Sequence, residues 1–167
     1  MSIYRRYVVG ESWETDDAGS NRRATTSLRK VLLSAREVEK ALRQGQTPVD
    51  SSIEKWTRIH TVLVDSAEIR TIGALETFIG AKTCGLCIDA LKRYRKAHGK
   101  PKSSRDKCSM CQLAKKQPCP DSDSVYSQIE EIVQNAKNAP QLYRDDPEVF
   151  ERIQILILKL LKILKAL

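Results

Sequence analysis

A chain of 167 residues with 41% apolar content can bury a core as one domain, and 5% aromatics leave that core to Leu, Ile and Val. Lys and Arg number 29 against 21 Asp and Glu, a net charge of +8 that points to anionic partners. The start has no apolar stretch of signal length, and no run of about eighteen apolar residues occurs, so neither a secretory signal nor a membrane span is expected. An intracellular, reducing location, cytoplasm or nucleus, is the expectation.

Residues 1–23 read as an N-terminal arm or loop. Within them 3–9 (Ile-Tyr-Arg-Arg-Tyr-Val-Val) suit a short strand or extended arm, and 10–23 are polar and turn-rich. The rest, 24–167, reads as a single, mostly α domain. We expect a helical bundle with an inserted knuckle-type zinc-binding module at 84–119 and a long apolar C-terminal helix.

A first helix is expected over 26–44, with Leu28, Val31, Leu32, Ala35, Val38 and Leu42 on one face. Gly45 and Pro48 end it. Ser51-Ser52-Ile53-Glu54 reads as a capping box opening a second helix, with Ile53, Trp56, His60 and Leu63 inward. Asp65-Ser66-Ala67-Glu68 reads as a third start, with Ile69, Ile72, Leu75 and Ile79 inward and Gly80 at the end.

The chain then reaches Cys84-Gly85-Leu86-Cys87 and, after twenty residues, Cys108-Ser109-Met110-Cys111, followed by Cys119. Two Cys-x-x-Cys pairs at this separation are a metal-site spacing, and four thiolates suit tetrahedral Zn²⁺ in a closed, structural site. The expected ligands are Cys84, Cys87, Cys108 and Cys111, with His98 and Cys119 as alternates. Buried free cysteines and an iron–sulfur cluster are the competing readings. A thioredoxin-like redox pair would need strands beside it, and the surroundings read as helical.

Between the pairs a short helix is expected over 88–98, ended by Gly99, then a basic loop to 107. Ten basic side chains fall within 84–119: Lys92, Arg93, Arg95, Lys96, Lys100, Lys102, Arg105, Lys107, Lys115 and Lys116. Only Asp89 and Asp106 oppose them, so this segment carries the net excess of the whole chain. Clustered cations neutralise phosphates, and Tyr94 could stack on a base, which makes the segment a nucleic-acid footprint without base-specific reading. A solvated charged face, an acidic protein and an anionic membrane surface are the other readings.

Asp121-Ser122-Asp123-Ser124 should cap the next helix, with Val125, Ile129, Ile132, Val133 and Ala136 as its stripe and Pro140 as its end. Asp146-Pro147-Glu148 should open the last. Its face of Ile153, Ile157, Leu160, Leu161, Leu164 and Leu167 is broad enough for three readings: a central core helix, a self-association or partner interface, or a membrane-surface helix.

His60 and His98 are the two histidines, and His60 falls on an inner stripe. No His-x-Glu precedes the cysteine pairs and no His-Glu-x-x-His occurs, so a zinc deaminase or zinc hydrolase is not expected. The sequence reading is a zinc-stabilised, non-enzymatic regulatory or accessory protein that binds RNA or DNA. The alternative is a zinc-stabilised protein-interaction factor that docks a partner or self-associates through the C-terminal helix.

Overall fold

Helices in this protein follow the apolar periodicity, while the first two start elsewhere than expected. The computed structural model describes residues 27–65, 69–103, 105–143 and 146–167. The expected arm at 3–9 and loop at 10–23 lie outside the described residues.

Helix α1 is Ala35–Arg43, shorter than the helix expected over 26–44. The break falls before Ser34, which is extended (φ −78°, ψ 161°) and caps α1 instead of continuing a helix. Ser34 Oγ accepts from Glu37 N at 3.3 Å, and the Glu37 carboxylate accepts from Ser34 N at 2.8 Å, a complete capping box. Leu28, Val31, Leu32 and Val38 are nonetheless all buried. Gly45 follows with φ +97°, the left-handed conformation that ends a helix.

Helix α2 is Pro48–Asp65. The expected cap at Ser51 is corrected: the helix begins a turn earlier, at a proline pre-set for a first helical position. Thr47 Oγ1 accepts from Asp50 N at 3.1 Å and supplies the cap. Ser51 and Ser52 lie inside the helix and are fully buried, and Glu54 accepts from Gln46 and Arg58 instead. The inner face is Ser52, Lys55, Trp56, Ile59, Val62 and Leu63; Ile53 and His60 are half-buried at its margin.

Helix α3 (Ile69–Ala74) and helix α4 (Glu76–Ile79) end at Gly80. The third expected start falls partly on 66–68, outside the described residues. Gly73 lies so close to helix α6 (Val125–Asn138) that a Cβ there would stand 3.0 Å from Lys137 Cα. Between them in sequence comes α5 (Gly85–His98), ended as expected by Gly99 at φ +79°. Short 3₁₀ turns follow at Asp106–Met110 and Leu113–Lys115. Ser124 caps α6, accepting from Ser127 N at 3.0 Å, and the whole expected stripe of α6 is buried.

Helix α7 is Glu148–Lys165, with Asp146 Oδ1 accepting from Glu148 N at 3.0 Å. It packs against α2 and α6, while α3 packs on α6 and α5 on α2. Ile153, Ile157, Leu160, Leu161 and Leu164 are at most 7% exposed and belong to the protomer's own core. The five side chains expected to form a partner or self-association interface thus pack inside the chain's own core. An apolar stripe this long is buried by two neighbouring helices, and each Ile or Leu so buried contributes about 1.5–3 kcal/mol. Ile155, Leu158 and Leu167 face outward. The protein is mostly helical, and among the described residues there is no strand and no helix long and apolar enough to cross a membrane.

Candidate metal centre and basic surface

The first cysteine pair sits where α5 begins. Cys84 is extended (φ −102°, ψ 116°) and its carbonyl accepts from Ile88 N at 3.0 Å, which starts the helix and places Cys87 in its first turn. Gly85 is required here. A Cβ at this position would meet Pro48 O and Ser51 Cβ at 2.8 Å, because the turn is pressed against the start of α2. Ser52 fastens the contact: its Oγ accepts from Leu86 N at 3.2 Å and lies 3.7 Å from Cys84 Sγ.

The second pair is carried by the Asp106–Met110 turn. Cys108 N donates to Arg105 O at 2.9 Å and Cys111 N to Cys108 O at 3.0 Å. Arg93 ties this turn to α5, donating from Nη2 to Met110 O at 2.6 Å and from Nε to Asp89 Oδ2 at 2.7 Å. Asp106 closes the basic loop by accepting from the backbone amides of Lys102 and Ser103 and from the Ser103 hydroxyl. Those bonds, the Ser103 hydroxyl first, hold its carboxyl below the usual range.

All five cysteines line one cavity of about 310 Å³. Trp56, Leu113, Tyr126 and Leu160 form part of its apolar wall, and Lys107 and Glu130 also line it. Trp56 and Tyr126 meet edge to face at 6.2 Å. Backbone amides point at two of the sulfurs: that of Cys87 at Cys84, and those of Leu113 and Ala114 at Cys111. A hydrogen bond from the Cys87 thiol holds Cys84 well below the ordinary thiol range, helped by the Lys55 charge, and the same bond pushes Cys87 up. Burial pushes Cys111 up and Cys119 up to about 12.

The thiol chemistry of this donor set fits a thiophilic ion, and amides aimed at sulfur stabilise thiolate. As placed, however, no group of three or more His, Cys, Asp or Glu among the described residues stands close enough to hold a metal. The cysteines share a cavity without closing on a common point. His98 lies elsewhere: it is exposed at the end of α5, with its ring 4.9 Å from Tyr94, and takes no part in lining the cavity.

The sequence reading missed Lys55, whose ammonium is a wall of the same cavity at 3% exposure. It donates to Ile79 O at 2.8 Å and Gly80 O at 3.2 Å and lies 5.0 Å from the Trp56 ring centroid. Burial pulls its pKa down and the nearby sulfurs of Cys84, Cys87 and Cys119 oppose that pull. A lone lysine three positions into an apolar stripe carries no sequence signal; the spacing that puts Ser52, Lys55, Trp56 and Ile59 on one face is the nearest to one.

On the outside of the module, Lys92, Arg95, Lys96, Lys100, Lys102, Arg105, Lys115 and Lys116 are exposed. Lys92, Arg95 and Lys96 share one face of α5 by their helical spacing. Three members of the expected footprint are engaged elsewhere: Arg93 in the bonds above, Lys107 in the cavity wall, and half-buried Tyr94 against His98. Compared with protein-family models, curated proteins and solved structures, the chain matches none of them.

Proposed function

We propose that this protein is a zinc-stabilised, non-enzymatic factor that contacts RNA or DNA through the outer surface of residues 84–119. One observation carries the reading: the segment whose five cysteines line one partly open cavity also presents eight exposed cations on its outside. Cys84, Cys87, Cys108 and Cys111 would hold the ion, with Cys119 beside them. Bound zinc supplies cross-linking of the module and no reaction chemistry. The exposed cations then act as one fixed surface, which gains affinity by releasing counterions from phosphates.

The test is metal content followed by binding. Purified protein should carry about one zinc per chain, as a four-thiolate shell requires, lost in Cys108→Ser and kept in Cys119→Ser. Titration of single-stranded and duplex oligonucleotides should show strong salt dependence. Replacing Lys92, Arg95 and Lys96 together by Ala should weaken binding and reduce the slope of log K against log salt by roughly 2–3. Folded, zinc-loaded protein that binds neither oligonucleotide rejects the nucleic-acid reading.

A further inference from the structure

Lys55 is a cation placed where a cation is expensive. Removing an ammonium from water is strongly unfavourable unless charge and hydrogen bonds offset it. Lys55 is 3% exposed, and among the described residues no carboxylate pairs with it. Glu130 lines the same cavity but is itself exposed. An ammonium has three donors. Two go to the carbonyls of Ile79 and Gly80, and the Trp56 ring supplies a quadrupole on one side. Among the described residues the third donor has no carbonyl partner, and the cavity that Lys55 lines is also lined by the five cysteines.

The missing negative charge has a natural source. Four thiolates around a divalent ion carry two net negative charges, and a desolvated dianion needs nearby cations or donors as much as a desolvated ammonium needs anions. Resting on the metal-centre reading above, we infer that Lys55 is the internal counter-charge of a thiolate-bound divalent ion: two of its N–H groups anchor on Ile79 and Gly80, and the third serves the thiolates. The anchors matter for position. Ile79 and Gly80 directly precede the 3₁₀ turn Ala81–Thr83 that delivers Cys84, so one side chain both pins that segment to α2 and offsets the charge of the centre. Lys55 is thus a positioning residue, not a ligand.

A plain strut would bond the same two carbonyls without needing its charge, and substitutions separate the two roles. Lys55→Arg keeps the charge, Lys55→Gln keeps a donor of similar reach without charge, and Lys55→Met keeps the stem alone. Zinc affinity of the full chain is measured by competition with a chromophoric chelator, with thermal melting in the zinc-loaded and chelated states beside it. Outer-shell partners of a metal contribute ~10–100-fold in affinity, so Gln and Met should lose that much while Arg binds at least ten times more tightly than Gln. Zinc-dependent stabilisation should shrink in the same order. Arg and Gln binding zinc equally, or Gln matching the wild type, overturns the inference while leaving a zinc-loaded wild type intact. If Met fails to fold, the Arg–Gln comparison still decides. Wild-type protein that binds no zinc overturns the metal-centre reading and this inference together.

Discussion

The bundle of α2, α3, α6 and α7 and the segment from Gly99 to Pro120 are ordered by different means. In the bundle, Ile59, Leu63, Ile72, Ile129, Ile153, Ile157 and Leu164 are all nearly inaccessible, and contacts join elements far apart in sequence. Among the described residues of 99–120, Cys111 and Leu113 alone are buried, and the regular structure is two 3₁₀ turns. Fixing a residue's backbone costs roughly 1–2 kcal/mol. Against that, the segment sets buried Cys111 and Leu113, partly buried Met110, Ala114 and Cys119, its turn bonds, the Asp106 bonds and the Arg93–Met110 link, far less apolar burial per residue than the bundle has. The bundle is held by its own packing; under the reading proposed above, metal binding that is also folding energy would supply the cross-link for the cysteine module.

The largest expected effect lies in the bundle. Ile157→Ala removes a side chain with no exposed surface from the helix that α2 and α6 enclose, and should cost about 2–5 kcal/mol. Urea unfolding should show the same loss with and without chelator, because the side chain is apolar and does not line the cysteine cavity. A loss that appears only in the zinc-loaded protein would contradict the independence of the two regions.

Gly85→Ala tests the joint between them. The new methyl group would meet Pro48 O and Ser51 Cβ at 2.8 Å and Ser51 Oγ at 2.9 Å, so either α2 or the Cys84–Cys87 turn must shift. Overpacking of this kind costs about 1–3 kcal/mol. If the turn yields, zinc occupancy falls while α6 and α7 keep their hydrogen-exchange protection; unchanged occupancy and stability would show that the contact is looser than drawn.

Helix α6 was legible side chain by side chain, because a stripe at helical spacing, a serine cap and a following proline all agree. The starts of α1 and α2 were not. Ser51 and Glu54 match a capping pattern, yet Ser51 is consumed by packing against Gly85, while Ser34 with Glu37 and Thr47 with Asp50 match the same chemistry and win. Local patterns do not rank themselves; burial does. The breadth of the C-terminal apolar face was plain in the sequence, but whether a neighbour inside or outside the protomer covers it depends on how α2 and α6 fold back. The cysteine spacing suggests one metal site; the chain places all five cysteines along one cavity, with no three of them close enough to share an ion. Lys55 was illegible because a buried lysine is recognisable only once its surroundings are known.

The smallest effect concerns α1, which packs on α2 of the bundle, on α5 and on the turn Ala81–Thr83 that leads to the first cysteine pair. Ser34→Ala removes the cap that accepts from Glu37 N and should cost ~0.5–2 kcal/mol at neutral pH. Part of that penalty depends on pH. Hydrogen bonds from Ser34, side chain first and then backbone, hold the Glu37 carboxyl below its ordinary 4.5. A depressed carboxyl stabilises the fold above its unfolded value, and the contribution is lost as pH falls through the folded value. The wild type should therefore lose stability below about pH 4.5 as Glu37 protonates, and Ser34→Ala, which has already given up the hydroxyl donor, should lose less. The gap between the two proteins narrows toward pH 3. Equal gaps at pH 7 and pH 3 would mean that the Ser34 hydroxyl caps the amide of Glu37 without holding its carboxylate, and α1 would then be joined to the rest of the molecule by Val38 and its neighbours alone.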